Sequence, residues 1–448
     1  MQGTQRPESV CTKLGQIAEL ARREHDRPLQ NLAHHIDIEW LKEAYRRTRK
    51  SGANGVDGQS AQEYAAHLES NLQTLHERMK SGTYRAPPVR RVHIPKGSKA
   101  GSETRPLGIP TFEDKIAQRS VSMVLEAIYE QEFYDCSYGF RPGKSAHQAL
   151  DAMRNQLMKI NGGWVLEIDF RKYFDSIDHK ALVEVLRQRV MDGSILRLIS
   201  KWLHAGVMED GAISYPTSGS PQGGVISPIL ANIFLHEVLD KWFEHDVKPR
   251  MTSEARLFRY ADDAVMTFAN ERDARRVLEA LHKRSSKYGL TLHPEKTRLL
   301  DFRRPTHNPP GGGNGSRPDT FDILGFTHFW AVSKAGKLVV MRKTMRARFR
   351  RAIERVTEWC KKHRHDPIRE QWRTLTKKLN GHYQYYGMVF NYRAINEFRY
   401  RVTMIWFRAL RRRSQRSMTW EDMTALRQTF YLPLARITHR LTIPSANP

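Results

Sequence analysis

Two carboxylates stand side by side in Tyr260-Ala261-Asp262-Asp263, between two apolar runs. Burying two like charges at a turn is costly unless a cation lies between them. Turned outward from a strand pair, their hard oxygens suit Mg²⁺. Alone, the same four residues read better as a solvated acidic hairpin, because acidic turns are common. A second acidic position changes that balance. Asp169 closes the apolar run at 164–168, within Ile168-Asp169-Phe170-Arg171-Lys172-Tyr173-Phe174-Asp175. Two-metal phosphoryl transfer needs at least two converging carboxylates, which hold ions roughly 3.5–4 Å apart. One ion activates a 3′-hydroxyl; the other balances charge on a triphosphate and its leaving pyrophosphate. Asp169 and Asp262 are the expected metal ligands, with Asp263 as a supporting carboxylate. Asp175 and Asp178 compete for the first site, but ahead of the helical pattern at 179 they read better as caps.

A triphosphate also needs cations. Lys96 and Arg105 flank a short Gly/Ser loop, a hairpin-like geometry able to close over phosphates. Arg141 and Lys144 lie in Tyr138-Gly139-Phe140-Arg141-Pro142-Gly143-Lys144-Ser145. That segment mimics a phosphate-binding P-loop but has three residues, not four, between its first Gly and Gly-Lys, and no parallel strand run precedes it. P-loop nucleotide hydrolysis is excluded. In Ser220-Pro221-Gln222-Gly223-Gly224 the glycines allow close backbone approach to a ligand, and Gln222 offers a donor and an acceptor. The same turn also serves as a plain helix entry.

These residues need elements to hold them. Helical spacing is predicted at 38–50 and again over 60–80, ending at Ser81-Gly82. Residues 83–112 read as extended, because prolines at 87, 88, 95, 106 and 110 forbid a long helix. Helices are predicted at 113–133, 145–160, 179–205, 226–245 and 272–288. Short strands are predicted at 164–170 and 213–218, and two strands meet at 261–263 within 256–268. Residues 305–320 are a Gly/Pro-rich loop. Beyond 341 the pattern is helical and basic. The expected class is α+β, with an all-helical appendage.

Composition sets the partner class. The 448 residues carry 74 Lys+Arg against 48 Asp+Glu, a net charge of +26. Such a surplus repels itself unless a polyanion neutralises it. Residues 341–448 hold 25 of the cations and 7 of the acids, a net of +18, which leaves +8 for the first 340 residues. No window approaches a transmembrane span, and the N-terminus has no apolar signal core. The three cysteines, Cys11, Cys136 and Cys360, lie far apart. A disulfide scaffold and a Cys-rich zinc module are therefore not expected. The expected compartment is a reducing one, the cytoplasm.

Taken in order, the motifs resemble the reverse transcriptases encoded by group II introns. The matching stretches run from Ile94–Gly97 and Arg105–Ile109 through Tyr138–Ala146, Ile168–Phe174 and Gly219–Asn232. They continue through Tyr260–Asp263, Leu290–Thr297 and Leu324–Phe326. A weaker match is the Leu379-Asn380-Gly381-His382-Tyr383-Gln384-Tyr385-Tyr386-Gly387 segment, which looks like a thumb or maturase signature.

The resemblance implies a right-hand polymerase of fingers, palm and thumb. Its expected layout is an N-terminal helical extension of the fingers at 1–80 and fingers and palm at 81–335. A helical thumb or maturase domain follows at 336–448, with a short basic DNA-binding end. Asp169, Asp262 and Asp263 become the catalytic carboxylates. Lys96, Arg105, Phe170, Phe174, Gln222 and Lys296 become the nucleotide-binding set. Within it, Phe174 excludes a 2′-hydroxyl and Lys296 donates a proton to pyrophosphate. Phe170 joins Asp169 and Asp262 around the metal. Arg141, Lys144, Arg346, Arg348, Arg350 and Arg351 are expected on nucleic acid. Trp359, Tyr383, Tyr385, Tyr386 and Trp406 read as bundle core, with stacking on bases as the alternative.

The implied cofactor is Mg²⁺, two ions, with Mn²⁺ as a substitute. The implied partners are an RNA template, a DNA primer, dNTPs and a group II intron RNA, bound by a monomer or homodimer. The chain has no paired late cysteines, so it resembles the compact members without an HNH endonuclease. The leading expectation is an RNA-directed DNA polymerase that also binds its intron RNA and promotes splicing and mobility. The alternatives are a domesticated enzyme of DNA repair or phage defence, or an RNA-binding maturase whose polymerase is not essential.

Overall fold

The computed structural model describes residues 9–95, 104–209, 211–215, 223–305, 318–413 and 418–440. Lys96 and Gln222 lie outside the described residues, as does most of the 305–320 loop, and of Arg105 only the backbone is described.

The fold is α+β, and among the described residues the strands form three small sheets. β1 (Val89–Pro95), β2 (Thr104–Ile109), β4 (Val207–Glu209) and β5 (Ala212–Ser214) make a mixed sheet in the order β2-β1-β4-β5. β3 (Trp164–Ile168), β6 (Ala255–Tyr260), β7 (Asp263–Phe268) and β8 (Arg298–Asp301) make a second, in the order β6-β7-β3-β8. β9 (Phe321–Ile323), β10 (Phe326–Val332) and β11 (Leu338–Thr344) make an antiparallel third. The β10–β11 hairpin was not read from the sequence. Its signal is the alternation of Phe326, His328 and Trp330 inward, with a turn at Gly336, where φ is +73°.

Two compact units divide the chain. One gathers the described residues of Met1–Ile94, Thr104–Ala146 and Leu166–Leu299; the other gathers those of His147–Val165 and Leu300–Pro448, with Pro95. This differs from the expected boundaries. The Ala146–Lys159 helix, expected with the fingers and palm, joins the C-terminal unit almost whole. Asp151 forms a buried ion pair with Arg342 of β11, and Arg154 donates from Nε to the Val340 carbonyl at 3.0 Å. A buried cation must meet its counter-charge, so Arg342 fixes where the helix belongs.

In the first unit the Phe112–Tyr129 helix is the hub. Thr111 caps it by accepting from the Asp114 amide, and it buries Ile116, Val121, Val124, Leu125 and Ile128. The expected single helix over 60–80 is two. Ala61–Ala66 begins on a capping box of Ser60 and Glu63, and Leu68–Ser81 ends on Gly82 at φ +78°. The expected 179–205 helix is also two, His179–Arg187 and Gly193–Leu203, because Asp192 caps the second by accepting from the Ser194 and Ile195 amides. The expected helix at 226–245 is α-helical over Ser227–Leu235 and widens to a π-helix over His236–Val247. Such widening is rare and recurs at functional positions.

In the second unit the helices Arg346–Lys362, Ile368–Tyr386, Tyr392–Arg411 and Trp420–Thr429 enclose one apolar core. Trp406 and Tyr383 are fully buried in it, so both belong to the core and not to bases. The Trp406 indole N–H donates to Gln371 Oε1 at 3.0 Å, as a buried indole requires. Trp359 stacks on His363, and the Tyr385 hydroxyl donates to the Leu324 carbonyl at 2.8 Å. Among the described residues no helix is long and apolar enough to cross a membrane.

Candidate active site

The acidic pair sits where β6 turns into β7. Tyr260 and Asp263 are the last paired residues, which leaves a two-residue turn of Ala261 and Asp262. Ala261 holds φ +57°, in the left-handed region where glycine is usual, and is buried. A strained residue persists only where its surroundings over-determine it. Here they do. A Cβ on Gly139 would lie 2.3 Å from the Ala261 nitrogen and 2.9 Å from the Tyr260 carbonyl carbon, so only glycine fits beneath the turn. This is why Gly139 precedes Phe140 and Arg141 in the sequence motif.

A buried polar network holds the turn from within. Arg259 is fully buried beside the turn. Its Nε and Nη2 form a fork with Asp240 at 2.7 and 2.6 Å. Its Nη1 donates to Asn232 Oδ1 at 2.9 Å and to the Ala261 carbonyl at 3.2 Å, and its Nη2 to Ser137 Oγ at 2.7 Å. Asn232 in turn donates to the Gly139 carbonyl at 2.7 Å. Burial pushes the Asp240 carboxyl up, but the Arg259 charge and fork, with His236, hold it below its ordinary value. The pair stays ionised, so the turn rests on a charged brace. Sequence reasoning assigned no role to Arg259, Asp240, Ser137 or Asn232, although Asn232 closes the matched stretch Gly219–Asn232.

Asp169 is placed by a different device. β7, which opens on Asp263, is the sheet neighbour of β3, which runs into Asp169. The segment 291–297 is stitched to the end of β3. The His293 amide donates to the Asp169 carbonyl at 2.7 Å, and the Arg171 amide to the Thr291 carbonyl at 2.8 Å. Thr297 Oγ1 donates to the Asp169 carbonyl at 3.2 Å. Lys296 then lies with Nζ 3.4 Å from Asp169 Oδ2. The lysine expected at pyrophosphate thus sits on the first carboxylate. The Asp169 side chain is 34% exposed, so it stays open to solvent and to a ligand.

Tyr173 links the two acidic positions. Its hydroxyl donates to the Ala231 carbonyl at 2.8 Å. Burial, and then the Asp262 and Asp240 charges, push that hydroxyl well above its ordinary value, against Arg259. Asp262 is therefore within electrostatic reach of a residue four positions after Asp169. The Tyr173 ring packs edge-on to Phe174, with centroids 5.3 Å apart, and Phe174 stays half-buried.

Several expected roles need correction. Arg141 does not offer its charge to nucleic acid. Its side chain is 6% exposed, pairs with Glu130 at 3.0 Å, and donates to the Tyr134 and Ser137 carbonyls, both at 2.8 Å. With Nε, both Nη1 hydrogens and one on Nη2 engaged, no fork is left for a phosphate. Lys144 pairs with Asp135 at 2.8 Å. The Phe170 side chain is buried, so any contact from it to nucleotide or metal is through its carbonyl. That carbonyl takes no part in the Phe170–Leu292 bridge, which the Asp169 carbonyl and Arg171 amide form. Asp178 caps its helix by accepting from the Ala181 amide at 2.8 Å, as the sequence suggested. A Cβ on Gly223 would lie 2.4 Å from the Gly108 carbonyl oxygen, so its close approach is to the chain's own backbone. Arg346, Arg348 and Arg350 are exposed and Arg351 partly so.

The donor chemistry suits a divalent cation. Asp169 and Asp262 supply hard, ionisable oxygens from neighbouring elements, and Lys296 marks a place for positive charge. Among the described residues no three His, Cys, Asp or Glu side chains cluster as a ready-made metal cage.

Residues 94–328 match the family described as reverse transcriptase (RNA-dependent DNA polymerase). The chain is 42% identical to Protein YkfC of Escherichia coli K12 over 205 residues, 44% of this chain and 53% of that protein. It is 42% identical to the group II intron-encoded protein LtrA of Lactococcus lactis over 197 residues, 42% of this chain and 32% of that protein. It is 36% identical to the putative COX1/OXI3 intron 2 protein of Saccharomyces cerevisiae over 210 residues, 47% of this chain and 24% of that one. The chain thus spans about half of the first of these relatives and a third or less of the others.

Proposed function

The chain belongs to the reverse transcriptase (RNA-dependent DNA polymerase) family, and we propose that it copies RNA into DNA and binds a group II intron RNA to promote its splicing and mobility. The observation that carries the reading is the braced Asp262 turn on the strand next to Asp169. Similarity to a group II intron-encoded protein supports the intron role.

In this reading the first unit holds fingers and palm, and the helices from 346 onward form the thumb. Asp169 and Asp262, with the Phe170 carbonyl, hold two Mg²⁺ ions, for which Mn²⁺ can substitute. When bound, those ions activate the primer 3′-hydroxyl and neutralise the triphosphate. Asp263 supports them. Lys96 and Arg105 neutralise the incoming phosphates, and Gln222 braces nucleotide and template. Lys296 Nζ gives its proton to the leaving pyrophosphate; its place on Asp169 supports that role. Arg346, Arg348, Arg350 and Arg351 take template–primer phosphates without reading sequence.

The test is primer extension by the full chain on an RNA template with dNTPs and Mg²⁺. Extension that stops without template or divalent cation is the expected result; no extension with either cation overturns the reading. Phe174→Val is expected to relax sugar discrimination. Ribonucleotide incorporation should rise by about 10-fold or more, because one avoided clash is worth roughly 1–3 kcal/mol. An unchanged dNTP/NTP ratio removes Phe174 as the gate.

A further inference from the structure

The Arg346–Lys362 and Tyr392–Arg411 helices leave a groove of about 720 Å³ between them. Its lining recurs at 353, 357, 360 and 361 on one side, with Arg364 just past the helix end, so it follows one face of the first helix. That face is about 12 Å long at 1.5 Å per residue. Ile353, Cys360, Met404, Ile405 and Ala409 make an apolar floor. Lys361, Arg364, Arg401, Arg408 and Arg412 ring it with positive charge, and Glu397 is the single acid in the lining. Glu397 is already paired, accepting from Arg401 Nε at 2.7 Å. Tyr400 stands at the wall with 59% of its surface exposed, although an aromatic ring on a bundle usually turns inward.

These features are not those of the arginines at the start of the same helix. Arg348 and Arg351 act on the Tyr386 hydroxyl, toward the Ile368–Tyr386 helix. The groove opens toward the Tyr392–Arg411 helix, and none of its lining residues belongs to the catalytic or template–primer set above. Duplex phosphates lie on a convex surface with the bases stacked inside, so a duplex cannot fill a recess. An unpaired strand can: its phosphates meet the cationic rim, and an unstacked base meets an exposed ring above an apolar floor. We propose that this groove is a binding site for a single-stranded stretch of nucleic acid, held by Lys361, Arg401 and Arg408 on its phosphates and by Tyr400 on a base. The proposal rests on the reading above only in taking nucleic acid as the partner.

The test is binding of a labelled oligouridylate to the full chain over a salt series, with the matching oligodeoxythymidylate in parallel. Arg401→Glu/Arg408→Glu, both at exposed positions, is expected to weaken oligouridylate binding by about 10-fold or more. It should also flatten the log–log salt slope by about 1.4, at about 0.7 per lost phosphate contact on a single strand. Tyr400→Ala should weaken binding roughly 5-fold or more with the slope unchanged. Lys361→Glu, from the opposite wall, should act in the same direction as the double variant. The DNA arm tells which strand is preferred, and loss on either strand in the double variant supports the groove. Unchanged affinity and slope in the folded double variant overturn the proposal. So does displacement of the RNA by an oligoglutamate as readily as by unlabelled RNA of equal charge, which identifies an acidic peptide groove instead. Extension of a preannealed primer–template is measured on the same samples. Its absence from the wild type counts against the polymerase reading alone, and its retention in the double variant separates the groove from the catalytic site.

Discussion

Asp262→Asn is expected to reduce primer extension on an RNA template by about 10²–10⁴-fold while leaving RNA affinity nearly unchanged. The amide keeps the shape of the carboxylate and removes its charge. Bound divalent cations stabilise transition-state charge by several kcal/mol, and each 1.36 kcal/mol is tenfold in rate. RNA affinity comes mainly from phosphate contacts elsewhere, so the substitution leaves it alone. Ala261 and the Arg259 brace are untouched, so the turn should keep its geometry. Single-turnover extension and filter binding on the same preparation check both halves. Extension within tenfold of wild type removes Asp262 from the metal set. An equal fall in RNA affinity points to misfolding of the turn instead.

Arg259→Met carries the second large effect. It leaves Asp240 buried with only a 3.4 Å contact to His236, and loss of the charge partner of a buried ion typically costs about 3–5 kcal/mol. For a unit of this size that lowers the melting temperature by roughly 10 °C. It also removes the donor to the Ala261 carbonyl and frees Asn232, which ties the turn to Gly139. Extension should fall even well below the melting temperature. Adding Asp240→Leu separates the two effects. An apolar pair of similar volume should recover much of the stability, because the uncompensated charge is gone. It cannot restore the bond to Ala261, so extension should stay low. Full recovery of extension in the double variant limits Arg259 to a structural part. A KM for dNTP near wild type with reduced kcat marks it as a positioning residue.

The candidate site was legible where its chemistry is local. Asp262 and Asp263 stand out only beside Asp169 at the end of an apolar run, because one acidic turn is common but two converging acidic positions suit a divalent cation. Caps were legible for the same reason: Asp178 reaches only three residues forward. The brace was not legible. Arg259 meets partners 19, 27 and 122 residues away, and nothing in its neighbourhood separates it from the other 73 cations. Arg141 failed in the opposite way. A basic residue in a Gly/Pro turn reads as a phosphate ligand, yet Glu130, two backbone carbonyls and the Phe133 ring take all of its guanidinium.

Element boundaries failed where a local competitor broke a smooth hydrophobic period. Asp192 supplies a cap that starts a new helix, the 60–80 pattern breaks at His67, where φ is −127°, and the π-helical stretch at His236–Val247 carries Asp240, the partner of Arg259.

By itself the sequence determined the amount and sign of the charge, its concentration in residues 341–448, the α+β class and the identities of the acidic residues. Those are properties of composition and of short-range pattern. Only the tertiary structure decided which charges are available. Burial beside a counter-charge fixes Arg259, Arg141 and Arg342 inside the fold, and a gap between two helices leaves Lys361, Arg401 and Arg408 facing an open groove. The physical reason is one of range. A side chain's charge is set by its own chemistry, but its solvation is set by residues that the chain brings from far away.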